Sequence, residues 1–203
     1  METGRTIRMT SKNSKSTKGR IISSAWELFY EQGYDATTVD EIVELSETSK
    51  GSFYHYFKGK DALLGSLSFV FDEKYDELKT RLDPADDFID QLMFLNHELF
   101  VMIEDSISVD LLSRLFAAQL LNKSDSNLLD QDRTYYKIIR AIVKNGRAKG
   151  DLRDDVSVNE ICKAYAVMER GMMYDWCICS GSYSLAQYSN RVLREFLENY
   201  RLA

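Results

Sequence analysis

The sequence predicts an all-α protein, and three observations carry that prediction. There is a single proline in 203 residues, no sustained alternation of apolar and polar positions, and apolar residues recur at three- and four-residue spacing along nearly the whole chain. A half-buried strand would need the period of two that is missing. A chain of this length holds one domain or two small ones and buries a sizeable core. The expected layout is a polar arm over residues 1–16, a three-helix domain over 17–60 and a helical body over 61–203, with about nine helices in all.

The first helix should run from Thr17 to Gln32, because Ile21, Ile22, Ala25, Leu28 and Phe29 fall on one stripe and Gly33 follows as a stop. Two short helices come next, Val39 to Leu45 and Lys50 to Tyr56; neither is long enough to stand alone, so both must pack on the first. A long helix from Lys60 to Arg81 carries Leu63, Leu67, Phe71 and Leu78. Asp83-Pro84 reads as an N-cap with proline at the first helical position, opening a helix to Glu104. Val109 to Leu121 forms a further helix, residues 122–127 a polar loop, and Leu129 to Lys149 another helix stopped by Gly150. Ser157-Val158-Asn159-Glu160 and Ser184-Leu185-Ala186-Gln187 fit the capping box and open the last two helices, 158–179 and 185–201.

Composition narrows the function classes. No run approaches the ~20 apolar residues of a membrane helix. The polar, basic start through Lys18 lacks the apolar segment of a signal peptide, so a soluble, cytoplasmic protein is expected. Cys162, Cys177 and Cys179 make an odd, late set of cysteines, read as reduced thiols rather than a disulfide framework. Two thiols spaced C-x-C on a helix point in different directions, which argues against a metal centre shared with His55 or His97. His97 is expected to be a partly buried, hydrogen-bonded residue. No nucleophile–base pair, metal-spaced cluster or glycine-rich phosphate loop stands out, so neither an enzyme nor a cofactor is expected.

The net charge of −6 conceals an asymmetry. Residues 1–60 hold nine Lys/Arg against eight Asp/Glu, whereas the remainder holds 17 against 24. Near the start, Arg5, Arg8, Lys12, Lys15, Lys18 and Arg20 face only Glu2, which makes residues 1–16 and the start of the first helix either a phosphate-contacting arm or a solvated tail.

The short helices carry the most specific chemistry. Thr38-Val39-Asp40-Glu41 is a third capping box, and Ser49 is a good N-cap for the helix after the turn at Ser46 to Thr48. Two short helices joined by a tight turn form the helix-turn-helix plan, whose second helix puts its N-terminal residues into the major groove. Lys50 suits phosphate, Gly51 and Ser52 keep the leading edge small, and Tyr54 and His55 offer polar tips on aromatic bodies. Phe53 and Phe57, four apart, should face inward. Lys60 stands at the N-terminus of the next helix, where unpaired N–H groups already favour a phosphate oxygen.

The residue order Ile21-Ile22-Ser23-Ser24-Ala25 through Leu28-Phe29, Gly33-Tyr34, Thr37 through Ile42, Ser49 through Phe57 and Lys60 through Leu64 resembles the TetR/AcrR family of transcriptional regulators. The resemblance covers about residues 17–66. It implies that Thr38 caps its helix and contacts phosphate, that Lys50, Gly51, Ser52, Tyr54 and His55 lie at the groove, and that Lys60 clamps phosphate. One departure stands out: Ser46-Glu47-Thr48 replaces the family's usual Ala-Gly-Val, placing Glu47 where a left-handed backbone is wanted, at a cost of about 1 kcal/mol.

The body is rich in aromatic and methionine residues, including Met93, Phe100, Met102, Phe116, Tyr135 and Tyr136. Core packing accounts for any one of them; the resemblance implies a small-molecule cavity among them, whose walls suit an apolar or amphipathic ligand, and the acidic balance of the body favours a cationic one. In the last two helices, Met168, Met172 and Trp176 extend one apolar stripe, and Val192, Phe196 and Tyr200 belong to another. Both faces together exceed what one thin layer covers, so a homodimer through these helices is expected, with Gly171 permitting close approach. The overall expectation is a repressor of double-stranded DNA with a near-palindromic operator, released by a ligand. The alternatives are an activator or ligand-independent regulator with the same head, or a helical interaction module that binds no DNA.

Overall fold

A computed structural model describes residues 16–121 and 128–202 of the chain, so most of the basic arm and the polar loop at 122–127 lie outside the described residues. These residues form ten helical segments: α1 Thr17–Gln32, α2 Val39–Leu45, α3 Lys50–Tyr56, α4 Asp61–Leu64, α5 Leu67–Lys79, α6 Phe88–Ser106, α7 Val109–Leu121, α8 Thr134–Lys149, α9 Val158–Ile178 and α10 Leu185–Glu198. Because α4 is a single turn just before α5, the all-helical expectation of about nine holds. The only extended pairing among the described residues is one antiparallel bridge, Leu152 with Arg201. Among the described residues no helix is long and apolar enough to cross a membrane.

The first three helices match their expected bounds because their ends carry local signals: Ser16, Thr38 and Ser49 each accept a backbone N–H three residues on, and Gly33 stops α1 at φ 87°. Three later boundaries differ. The single helix expected from Lys60 to Arg81 is broken around Ser66, whose hydroxyl donates to the Leu63 carbonyl at 2.5 Å and accepts the Trp26 indole N–H at 2.9 Å. Asp83-Pro84 does not open α6. Asp83 Oδ1 instead accepts the Ala85 N–H at 2.8 Å in a turn, and Asp87 caps α6 by accepting the Ile89 N–H at 2.8 Å. Likewise α8 begins at Thr134, because Asp130 accepts the Asp132 N–H at 2.9 Å and holds the preceding residues in a turn. Its other end is as expected, with Gly150 left-handed at φ 82°.

The described residues fold into two compact units: those up to Glu73 together with those within 105–129, and those within 74–104 together with those within 130–203. In the first, α2 and α3 pack on α1 around Ile21, Ala25, Phe29, Ile42 and Phe53, and α7 packs on α4. In the second, α9 packs against both α8 and α10, over a core that includes Phe88, Leu92, Ile139, Tyr165 and Leu193. Gly146 permits the close approach of α8 to α6, since a Cβ there would lie 2.9 Å from Phe88. The capping box opening α9 is complete. That of α10 is altered: Ser184 accepts the Gln187 N–H, while Glu104 of α6 accepts the Leu185 N–H at 2.6 Å and that of Ala186 at 3.3 Å. A carboxylate from a distant helix thus meets the positive end of α10. His97 is exposed rather than partly buried, since it sits on the outer side of α6 between buried Asn96 and Leu99.

Candidate nucleic-acid interface

The reading head is built from helix ends. Thr38 Oγ1 accepts the Glu41 N–H at 3.2 Å, and Glu41 Oε2 accepts the Thr38 N–H and hydroxyl at 2.7 Å each. These bonds hold the Glu41 carboxyl below the usual carboxylate range, the Thr38 hydroxyl contributing most. The turn between α2 and α3 closes by two bonds, Thr48 N–H to the Val43 carbonyl and Glu47 N–H to the Glu44 carbonyl, both at 3.1 Å. That is the Schellman pattern, and it forces Glu47 to φ 50°, the left-handed conformation expected of it. Around it, Ser46 Oγ lies 2.8 Å from Thr48 Oγ1, and Arg20 Nε donates to the Ser46 carbonyl at 3.2 Å. Side-chain bonds thus support a turn that a glycine would form without strain.

On α3, Ser49 Oγ accepts the Ser52 N–H at 3.0 Å and the helix turns Phe53 and Phe57 inward, with ring centroids 5.8 Å apart. The opposite face holds Lys50, Gly51, Tyr54, His55 and Tyr56, all exposed, Tyr54 by 55 %. A Cβ added to Gly51 would touch only Ser49 Oγ, at an ordinary 3.7 Å. Among the described residues the fold therefore has no need of glycine here. Lys50 pairs with Asp40 across the turn at 2.7 Å, both side chains exposed. Such a pair contributes little to stability and leaves the ammonium available to a stronger anion. Tyr56 was not singled out from sequence, although it follows His55 directly and their rings lie 4.8 Å apart.

Lys60 has a different geometry from a bare phosphate clamp. Its ammonium donates to the carbonyls of Tyr34, Asp35 and Thr37 at 2.6, 3.4 and 2.8 Å and lies 4.4 Å from the Tyr34 ring centroid. On the same ring, Arg114 of α7 lies at 4.9 Å while pairing with Asp35 at 2.6 Å. The buried Tyr34 hydroxyl donates to Asp61; burial first and that carboxylate second push its phenol up. Two cations therefore clasp the loop that leads into the Thr38 cap, one of them from a helix far along the chain. Arg114 carried no sequence signal for this.

The other expected residues separate. Met93, Phe100, Tyr135 and Tyr136 are buried in the second unit, Met102 is half-buried, and Phe116 belongs to the first unit. Of the dimer set, Met172 and Trp176 are buried within the chain, whereas Met168, Val192, Phe196 and Tyr200 are half-buried. The exposed stripe on α9 is instead Val167, Gly171, Tyr174 and Ile178, at heptad-like spacing, with Tyr188 exposed on α10.

Two capped short helices with a small, polar, outward leading edge define a helix-turn-helix DNA-binding regulator. Residues 21–67 match the family model of bacterial regulatory proteins, tetR family. The chain is 27 % identical over 140 residues to the transcriptional regulator QacR of Staphylococcus aureus, which spans 66 % of this chain and 72 % of that one. It is 24 % identical over 188 residues to TtgR of Pseudomonas putida, covering 88 % and 89 %. In fold it is similar to Thermus thermophilus FadR, a TetR-family transcriptional repressor solved with lauroyl-CoA. That likeness has a TM-score of 0.73 and 24 % identity over 93 % of this chain and 96 % of that one. Bacillus subtilis FadR, solved with stearoyl-CoA, is similar at a TM-score of 0.59 and 21 % identity over 88 % and 96 %. Residues 21–67 therefore carry the DNA-binding domain of the tetR family of bacterial regulatory proteins, and the chain as a whole is similar to transcriptional regulators.

Proposed function

We propose that the protein is a cytoplasmic repressor, not an enzyme, that binds a near-palindromic operator as a homodimer and lets go when a small molecule enters its body. The observation that carries this reading is the outward face of α3, where Gly51, Tyr54 and His55 are exposed and unneeded by the core. Ser49, Lys50, Gly51, Ser52, Tyr54 and His55 meet the major groove, with Thr38 on phosphate. Lys60 supports them from behind by fixing the loop before Thr38 while adding positive charge.

The homodimer forms through α9 and α10. The apolar stripe Val167, Tyr174 and Ile178 favours a second copy, and exposed Gly171 leaves room for a close crossing. Met168, Val192, Phe196 and Tyr200 border that stripe, whereas Met172 and Trp176 act from inside the chain. A two-fold sets the recognition helices about 34 to 36 Å apart, one turn of B-DNA. The ligand is apolar or amphipathic, a reading supported by the acyl-CoA complexes of the two FadR proteins. The buried aromatic and methionine residues of the second unit, Met93, Phe100, Tyr135 and Tyr136 with Met102, are adaptable enough to make room for it. It releases DNA by favouring an arrangement with mis-spaced heads, and α5, which passes from one unit to the other, is the element that carries the change.

The test is selection of bound sequences from random duplexes, followed by titration of the selected operator. Tyr54→Ala and Lys50→Ala should each weaken binding about tenfold or more while the dimer persists in sedimentation. Binding equal to wild type in both would overturn the reading.

A further inference from the structure

The second unit holds an open cavity of about 350 Å³ bounded by α5, the turn after it, α6 and α8. None of the six residues expected from sequence to form a pocket lines it. Its apolar lining is Leu82, Pro84, Ile138, Ala141 and Ile142, and its charged lining is Asp76, Lys79 and Lys137. The volume falls in the usual range of small-molecule sites, about 300 to 1,000 Å³.

Three features make the groove a built site. First, its rim is held: Lys149 Nζ donates to the carbonyls of Pro84, Ala85 and Asp86 at 2.8, 3.0 and 3.1 Å, and Asn145 Nδ2 donates to that of Pro84 at 2.8 Å. A ligand therefore pays little ordering entropy on this wall. Second, the lining has two cations against one anion, although residues 61–203 as a whole carry 17 basic and 24 acidic side chains. Neither lysine is held in an ion pair among the described residues. The first turn of α8, which supplies Thr134 and Lys137, also has no acidic residue and no side-chain cap. Third, Gln91 lines the cavity at 5 % exposure. Its Nε2 donates to the Asp86 carbonyl at 2.9 Å. That bond ties the Gln91 amide of α6 to the held rim, so this wall of the groove is preformed as well.

We propose that this groove binds amphipathic carboxylates, with Lys79 and Lys137 neutralising the head group and Leu82, Ile138 and Ile142 covering the tail. The proposal rests on reading the body as a ligand-sensing domain, and it narrows the ligand class. The acidic total favours a cation, but the lining of this groove carries the opposite local sign.

Decanoate and decyltrimethylammonium, with equal tails and opposite charge, are titrated calorimetrically into the full-length protein below their micelle concentrations. Decanoate should bind and the ammonium should not. Lys79→Ala and Lys137→Ala should each weaken decanoate about tenfold. Ala141→Trp, at an exposed position on the groove wall, should abolish binding with an unchanged melting curve. No decanoate binding, equal binding of the ammonium, or full binding by Ala141→Trp would each overturn the proposal. Operator titration with the same proteins separates the two readings. Decanoate binding without operator release supports the groove and rejects ligand release through it, whereas operator binding by a chain that ignores decanoate rejects the groove alone.

Discussion

A local cap of the first unit and a buried carboxyl of the second are satisfied in opposite ways. In the first, the bonds are short-range and exposed, as in Thr38 with Glu41, three residues apart. In the second, Glu169 is 2 % exposed and draws its donors from far along the chain: Asn96, 73 residues away at 2.8 Å, and Tyr135, 34 residues away at 2.6 Å. Ser189 then donates to Asn96, so one buried network joins α6, α8, α9 and α10. A local cap satisfies one helix end at little desolvation cost. Burying a carboxyl removes it from water, a cost offset only because donors replace that water. The two carboxyls diverge accordingly. Glu41 is held low by its Thr38 bonds, whereas burial pushes Glu169 up against the pull of Tyr135, Asn96 and Tyr165.

The largest test of that contrast is Glu169→Ala. It leaves the Asn96 amide and the Tyr135 hydroxyl without their acceptor beside a new cavity, and should cost about 3 kcal/mol in urea unfolding. A loss below about 1 kcal/mol would make the network no more than a local cap. The pH dependence sharpens the contrast in sign. Glu169 binds its proton more tightly in the folded state, so its contribution is full below about pH 4 and is lost as pH rises through its raised folded value. Glu41 is the reverse: its contribution is present above about pH 4 and is lost as pH falls through its lowered folded value. Glu169→Gln should therefore flatten the stability profile on the alkaline side, and Glu41→Gln on the acid side. Unaltered profiles would remove the distinction.

Smaller effects belong to the head. Thr38→Ala should cost about 1 kcal/mol of urea stability, the usual worth of an N-cap. Glu47→Gly should raise stability by up to about 1 kcal/mol, relief of left-handed strain being partly offset by the freer unfolded chain. A destabilised Glu47→Gly would mean that the serine and threonine bonds around the turn already remove the strain.

The head was legible in sequence because its determinants are neighbours. Thr38 and Glu41 form one box, Phe53 and Phe57 share a helical face, and the loss of glycine at 47 predicted its positive φ. The misreadings arose where a competing bond came from elsewhere or from a turn. Ser66 was diverted to Leu63 and Trp26, and Asp83 capped a turn rather than α6. On α9, periodicity identified an apolar stripe but not which part of it the chain itself would cover, so Met172 and Trp176 went inside and Tyr174 and Ile178 stayed outside.

By itself the sequence determined the all-helical class, the three-helix head, the capped ends of α2, α3 and α9 and the residues that α3 turns outward. All of these follow from interactions within about four residues, where spacing dictates geometry. Only the tertiary structure decided the Glu169 network, the Arg114 clasp on Tyr34, the Glu104 cap on α10 and the lysine-lined groove. Each joins groups from segments distant in sequence, and their meeting depends on how the helices pack.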